Sequence, residues 1–116
     1  MEFISSETYD DLLRNLISAV PEVKAAILVS SEGLPLSSIL PEDVDELKIA
    51  GIITALLLMS NKLINEIKKE DFEQLSLNAN GGYLIGVKAN NKKLLMVLAT
   101  KYIKLNLILK DLWEIG

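Results

Sequence analysis

The 116-residue chain has no histidine, no cysteine and a single arginine, Arg14. Without histidine the usual general base, the triads built on it and the commonest metal ligand are missing. Without cysteine there is no disulfide framework and no thiolate metal site. One arginine leaves few forks for a phosphate or carboxylate. Positive charge is short as well: 12 Lys+Arg stand against 16 Asp+Glu, the net charge is −4 and the pI is near 4.8. That balance argues against nucleic acid, which needs a basic footprint. No P-loop, G-x-G-x-x-G or EF-hand pattern occurs. Carboxylates remain, but Glu42, Asp43, Asp45 and Glu46 follow Pro41 at an expected helix start, where acidic side chains complement the macrodipole. No catalytic residue, cofactor site or metal site is assigned, and a non-enzymatic protein is expected. No basic-apolar-small signal segment opens the chain, so a cytoplasmic location is expected.

Half of the residues are hydrophobic and about a quarter charged, the balance of a globular protein. No linker, internal repeat or low-complexity tract appears, so residues 1–116 are read as a single domain. The first helix is expected from Glu7 to Val20, with Ser5 or Ser6 as N-cap and Pro21 as its stop. Its apolar face carries Tyr9, Leu12, Leu13, Leu16, Ile17 and Val20, with Asp10, Asp11, Arg14 and Ser18 opposite. Val23 to Ser30 is a nearly unbroken apolar run, which suits a strand covered on both faces. Ser31-Glu32-Gly33 turns the chain, Gly33 at positive φ. The return strand, Leu34 to Ile39, holds Pro35, which confines it to a sheet edge. A long helix follows from Glu42 to Lys68. Three strands are then expected: Phe72–Asn78, Tyr83–Ala89 and Leu94–Thr100, joined by turns at Asn80-Gly81-Gly82 and Asn90-Asn91. Asn78, Asn80, Asn90 and Asn91 are read as turn chemistry rather than a ligand loop. A last helix, Lys104 to Ile115, packs through Leu105, Ile108, Leu109, Leu112 and Trp113, leaving Leu107 outward. The fold class is α/β: a three-layer α/β/α sandwich with a five-stranded, mainly antiparallel sheet and the order α-β-β-α-β-β-β-α.

The centre of the long helix, Ile49 to Met59, is apolar nearly all the way round, yet shorter than the roughly 20 residues that cross a bilayer. No membrane insertion is expected. A helix facing one core needs only an apolar stripe. At 100° per residue Ile49, Ile52, Ile53, Leu56, Leu57 and Leu63 share the side expected to meet the sheet. Leu47, Gly51, Thr54, Ala55, Leu58 and Lys62 cluster on the other. Gly51 costs about 1 kcal/mol of helix propensity relative to alanine. Either it is merely tolerated and Leu58 is a scattered surface leucine, or Gly51 and Ala55 admit a second helix closely. Leu47 and Leu58, flanking the small pair, favour partner contact. The Phe72–Asn78 strand has no proline and one charge, Glu73. At a sheet edge its backbone is a template for another chain, unless a loop or helix end covers it. Phe72, Gln74 and Ser76 of this strand therefore join the helix residues as the expected dimer or partner interface.

Leu28-Val29-Ser30-Ser31-Glu32-Gly33-Leu34-Pro35-Leu36-Ser37-Ser38 resembles the lvs-x-[DE]-Gly-[LF]-x-[IL]-x-s hairpin of Roadblock/dynein light chain domains. The likeness extends over essentially the whole chain. An amphipathic helix precedes the hairpin, and a long apolar helix with small residues follows it. A strand comes after a Lys/Glu-rich break, and Lys104-Leu105-Asn106-Leu107-Ile108-Leu109 is similar to the closing helix, with Asn106 in place of its usual glycine. The resemblance implies homodimers, or heterodimers with a paralogous Roadblock chain, in which central helices and middle strands pair across a two-fold axis. It implies a scaffold or regulator of a Ras-like small GTPase or a dynein light chain, and free-standing prokaryotic members are similar to the partner of a polarity GTPase. The expected function is a non-enzymatic, dimeric interaction module that binds a small GTPase. The alternatives are a small-molecule sensor of profilin-like or PAS-like layout, which needs a pocket with convergent polar groups, and a structural subunit of a larger assembly.

Overall fold

The structure, a computed structural model, describes residues 6–89 and 92–112. The elements follow in the order α1 (Ser6–Ala19), β1 (Val23–Ser30), β2 (Pro35–Ile39), α2 (Glu46–Lys68), β3 (Leu75–Ala79), β4 (Gly82–Ala89), β5 (Lys93–Ala99) and α3 (Leu105–Leu112). The five strands form one sheet in the order β2-β1-β5-β4-β3, and each neighbouring pair is antiparallel. The strand with Pro35 is one edge and β3 is the other. The two strands with the longest apolar runs, β1 and β5, lie inside and are buried along most of their length.

Alternation along these strands sends successive side chains to opposite faces. Leu28, Leu95, Val97 and Ile85 meet Leu13 and Leu16 of α1 and Leu105 and Leu109 of α3. Ile27, Val29, Leu94 and Met96 meet Ala50, Ile53 and Leu57 of α2. Helices thus cover both faces and the fold has the expected three layers. Gly86 of β4 makes room for α2, since a Cβ there would lie 2.8 Å from a methyl of Leu57.

Local chemistry moves several boundaries from their expected places. α2 begins at Glu46 rather than Glu42. Asp45, in extended backbone, accepts a hydrogen bond from the Lys48 N–H at 3.2 Å, and residues 41–44 form a turn closed by Val44 N–H to Pro41 O. β3 begins at Leu75 rather than Phe72, because the Phe72 N–H donates to the Asn61 side chain and Gln74 turns toward α3. Asp10, expected on the solvent face of α1, is half-buried and accepts a hydrogen bond from the Ser37 hydroxyl, tying α1 to β2. Ser5, the Asn90-Asn91 turn and Trp113 to Ile115 lie outside the described residues. Gly33 takes φ +92°, as its turn requires.

Candidate functional site

α2 is a 23-residue helix whose fully buried residues are Ala50, Ile53 and Leu57. The expectation that Ile52 and Leu63 also meet the sheet is wrong: they are 53% and 63% exposed. The sheet-facing stripe is narrower than the apolar sector because α2 crosses the strands obliquely, from Ser38–Glu46 at β2 to Asn61–Lys88 at β4. Leu47, Leu58, Met59 and Ile67 are exposed as well, Met59 by 69%. By length and composition alone α2 is apolar enough to cross a membrane. Here it lies on the sheet as a core helix with most of its apolar surface uncovered.

The exposed residues form two flanks. One holds exposed Ile52, Met59 and Leu63 with half-buried Leu56 between them, spaced by three or four residues. It overlooks the half of the sheet that α2 leaves bare, where a cavity of about 320 Å³ is lined by Ile49, Ile52 and Leu56 of α2, Leu84 and Leu98 of the sheet and Leu40 of the connection. On that floor Ala25 pairs Leu98, Leu98 pairs Leu84, and Leu84 pairs Leu77. The result is a row of apolar side chains crossing four strands to the β3 edge, with Leu77, Leu84 and Leu98 exposed. The lining is almost wholly apolar. The other flank and the crest of α2 carry Leu47, Gly51, Ala55, Leu58 and Lys62, all exposed. No atom outside the helix lies within 4 Å of a Cβ built at Gly51. Thr54 differs from the rest of its expected group. It is half-buried, donates its hydroxyl to Ala50 O at 2.8 Å and packs beside Gly33 of the β1–β2 turn.

The edge residues divide in the same manner. Ser76 is exposed on β3. Phe72 packs into the α2-side core under the Lys88 ammonium, 5.7 Å from its ring centre. Gln74 is spent within the chain: its amide nitrogen donates to Ile103 O at 3.0 Å and its oxygen accepts from the Asn106 N–H at 3.3 Å. The cleft of about 530 Å³ beside it, lined by Ile64, Lys68, Phe72, Gln74, Tyr102 and Asn106, has its central amide occupied at both ends. Among the described residues every buried side-chain nitrogen and oxygen has a partner. Glu70, Asp71, Glu73 and Lys104 also line this cleft, a mixed-charge surface rather than the mostly apolar pocket with a few convergent polar groups that a small-molecule sensor requires.

Sequence reasoning missed Leu77, Leu84 and Leu98. Their signal was partly present, since Leu94, Met96 and Leu98 alternate on β5 and Leu75 and Leu77 on β3, whereas on β4 Leu84 shares its face with Gly82, Gly86 and Lys88. An unbroken apolar run, however, reads as a strand covered on both faces, and only the oblique path of α2 shows which end stays bare.

The model of the Roadblock/LC7 domain family matches residues 9–99. The structure is similar to a Roadblock/LC7 domain from Streptomyces avermitilis, with TM-score 0.76 and 20% identity over 91% of this chain and 89% of that one. It is also similar to Myxococcus xanthus MglB, with TM-score 0.80 and 16% identity over 96% and 86%. An MglB structure described as having a tetrameric arrangement matches with TM-score 0.72 and 14% identity over 85% and 75%. These likenesses are likenesses of fold. Comparison with curated proteins finds no match.

Proposed function

The chain belongs to the Roadblock/LC7 domain family, and from that premise we propose that it is a non-enzymatic, dimeric interaction module that binds a Ras-like small GTPase in the cytoplasm. The observation that carries this reading is the uncovered apolar surface of α2. Two flanks of one helix, separated by a crest with Lys48, Lys62 and Glu66, offer two contacts rather than one. The flank over the bare sheet, with Leu84 and Leu98, takes a second copy or a paralogous chain. Stable interfaces bury about 1,200–2,000 Å² in total, and a helix flank, a sheet floor and an open strand edge together are of that order. The MglB likeness with a tetrameric arrangement is in keeping with a fold that assembles.

The crest and outer flank, Leu47, Gly51, Ala55, Leu58 and Lys62, are left for the GTPase. Binding there shifts the switch conformations of the GTPase through differential contacts with its two nucleotide states. A single experiment separates the two contacts. Purified chain is sized by light scattering at micromolar concentration, then used to capture partners from a native lysate supplied with GDP or with a slowly hydrolysed GTP analogue. Leu84→Asp should give a monomer, whereas Ala55→Arg should keep the dimer and lose the GTPase. A wild-type monomer near 12.8 kDa overturns the dimer, and a dimer that captures no GTPase in either state overturns the partner.

A further inference from the structure

We propose that Met59 is an oxidation site, and that its sulfoxide releases the second copy of the chain from the flank of α2. This rests on the dimer reading above and adds a means of regulating it.

The chain has three methionines and no cysteine. Thiol chemistry is therefore excluded, and the thioethers are left as its sulfur chemistry. Two of them have opposite surroundings. Met96 on β5 is 6% exposed and packs in the α2-side core, where its methyl lies 3.2 Å from the place a Cβ on Gly86 would take. Met59 is 69% exposed, the highest value among the described large apolar side chains. Met1 lies outside the described residues.

A hydroperoxide is the oxidant the reaction needs. Attack by the Met59 sulfur forms an S–O bond and breaks the O–O bond. The proton on the transferred oxygen passes to the leaving oxygen, so the thioether becomes a sulfoxide and hydrogen peroxide is reduced to water.

The place of Met59 on the helix gives this change its effect. Leu56 and Leu63 lie one turn to either side of it and Ile52 two turns away, and none of these side chains carries a hydrogen-bond donor. The floor beyond them is lined almost wholly by apolar groups, Leu84 and Leu98 among them. Water satisfies a sulfoxide oxygen in the free chain. A second copy seated on this flank removes that water and offers nothing in return, which is the cost of any buried polar group left unpaired. The thioether makes no such demand, and its unbranched chain adapts to the facing surface. Two-fold symmetry applies the change twice. Met59 belongs to neither core cluster, so the fold itself survives. Protection runs the other way as well. A copy that covers Met59 shields it, so oxidation proceeds through the dissociated chain and slows as protein concentration rises.

Purified chain is treated with hydrogen peroxide at several protein concentrations. Peptide mapping by mass spectrometry follows each methionine, and sedimentation gives the dimer affinity. Met59 should oxidise well before Met96, more slowly at higher protein concentration, and the oxidised chain should lose about tenfold or more in dimer affinity. Methionine sulfoxide reductases of both stereospecificities should restore it. Met59→Leu keeps the apolar volume and should stay dimeric through the same treatment. Met59→Gln sets a polar group there with good helix propensity, and should weaken the dimer without oxidant while circular dichroism is unchanged. Sulfoxide at Met59 with unchanged dimer affinity overturns the proposal, as does a Met59→Leu chain that dissociates on oxidation like wild type. Loss of GTPase capture with the dimer intact also overturns it, since Met59 then serves the crest. A chain that is monomeric before any oxidant is added overturns the dimer reading itself, and the switch with it.

Discussion

A methyl group added at Gly51 meets no atom outside the helix within 4 Å, whereas one added at Gly82 lies 2.9 Å from the carbonyl oxygen of Ala99. The two glycines therefore respond oppositely to alanine. Gly51→Ala fills open space on an exposed helical turn and should raise stability by up to about 1 kcal/mol, a few degrees in Tm. Gly82→Ala drives a side chain into backbone of the neighbouring strand, which cannot rotate away, and should cost about 1–3 kcal/mol. Thermal melts of both variants beside wild type, at one protein concentration, check the pair, and an equal sign for the two changes contradicts the packing. Gly51 was legible in the sequence because helix propensity is local. Gly82 was not. It was read as part of the Asn80-Gly81-Gly82 turn, yet Gly81 holds the positive φ, at 108°, and Gly82 is needed for close approach to β5. That requirement comes from a strand seventeen residues downstream.

At the scale of elements, order, sheet edges and the double burial of β1 and β5 follow from periodicity, proline and turn residues, and the structure reproduces them. Boundaries moved wherever a side chain claimed backbone: Asp45 at the start of α2, and Asn61 and Gln74 before β3. The sides of α2 were only partly legible. A helical wheel gives angles but not the crossing direction over the sheet, so Ile52 and Leu63 were placed against a floor that α2 does not cover. Gln74 is the clearest element-scale device. Its side chain holds Ile103 O and the Asn106 N–H, the entrance of α3, from the foot of the edge strand. Gln74→Ala removes both bonds and leaves a half-buried N–H and C=O without them. It should cost about 1–2 kcal/mol and speed amide exchange in α3 while β1 and β5 stay protected. Unchanged exchange across Leu105–Leu109 would show that the helix is held by its leucines alone.

In the whole molecule the three layers keep two kinds of surface apart. α2 and the bare half of the sheet lie on one side, α1 and α3 on the other. Many GTPase activators insert an arginine that stabilises transition-state charge and is worth about 10³–10⁵ in rate. This chain has one arginine. Arg14 sits on the exposed face of α1, paired with Asp11 one helical turn away, with the full thickness of the sheet between it and the crest of α2. A guanidinium there does not reach a nucleotide bound against α2. On the proposed reading, stimulation of hydrolysis is expected to come from ordering the catalytic groups of the GTPase itself, and Arg14→Ala should leave the rate within about twofold of wild type, since an exposed i,i+3 ion pair contributes little to stability. The measurement is single-turnover GTP hydrolysis by the captured GTPase, with wild type against Arg14→Ala at saturating concentration. A hundredfold loss with binding intact would place the GTPase on the α1 side of the sheet and make Arg14 the inserted residue, reversing the assignment of the α2 crest.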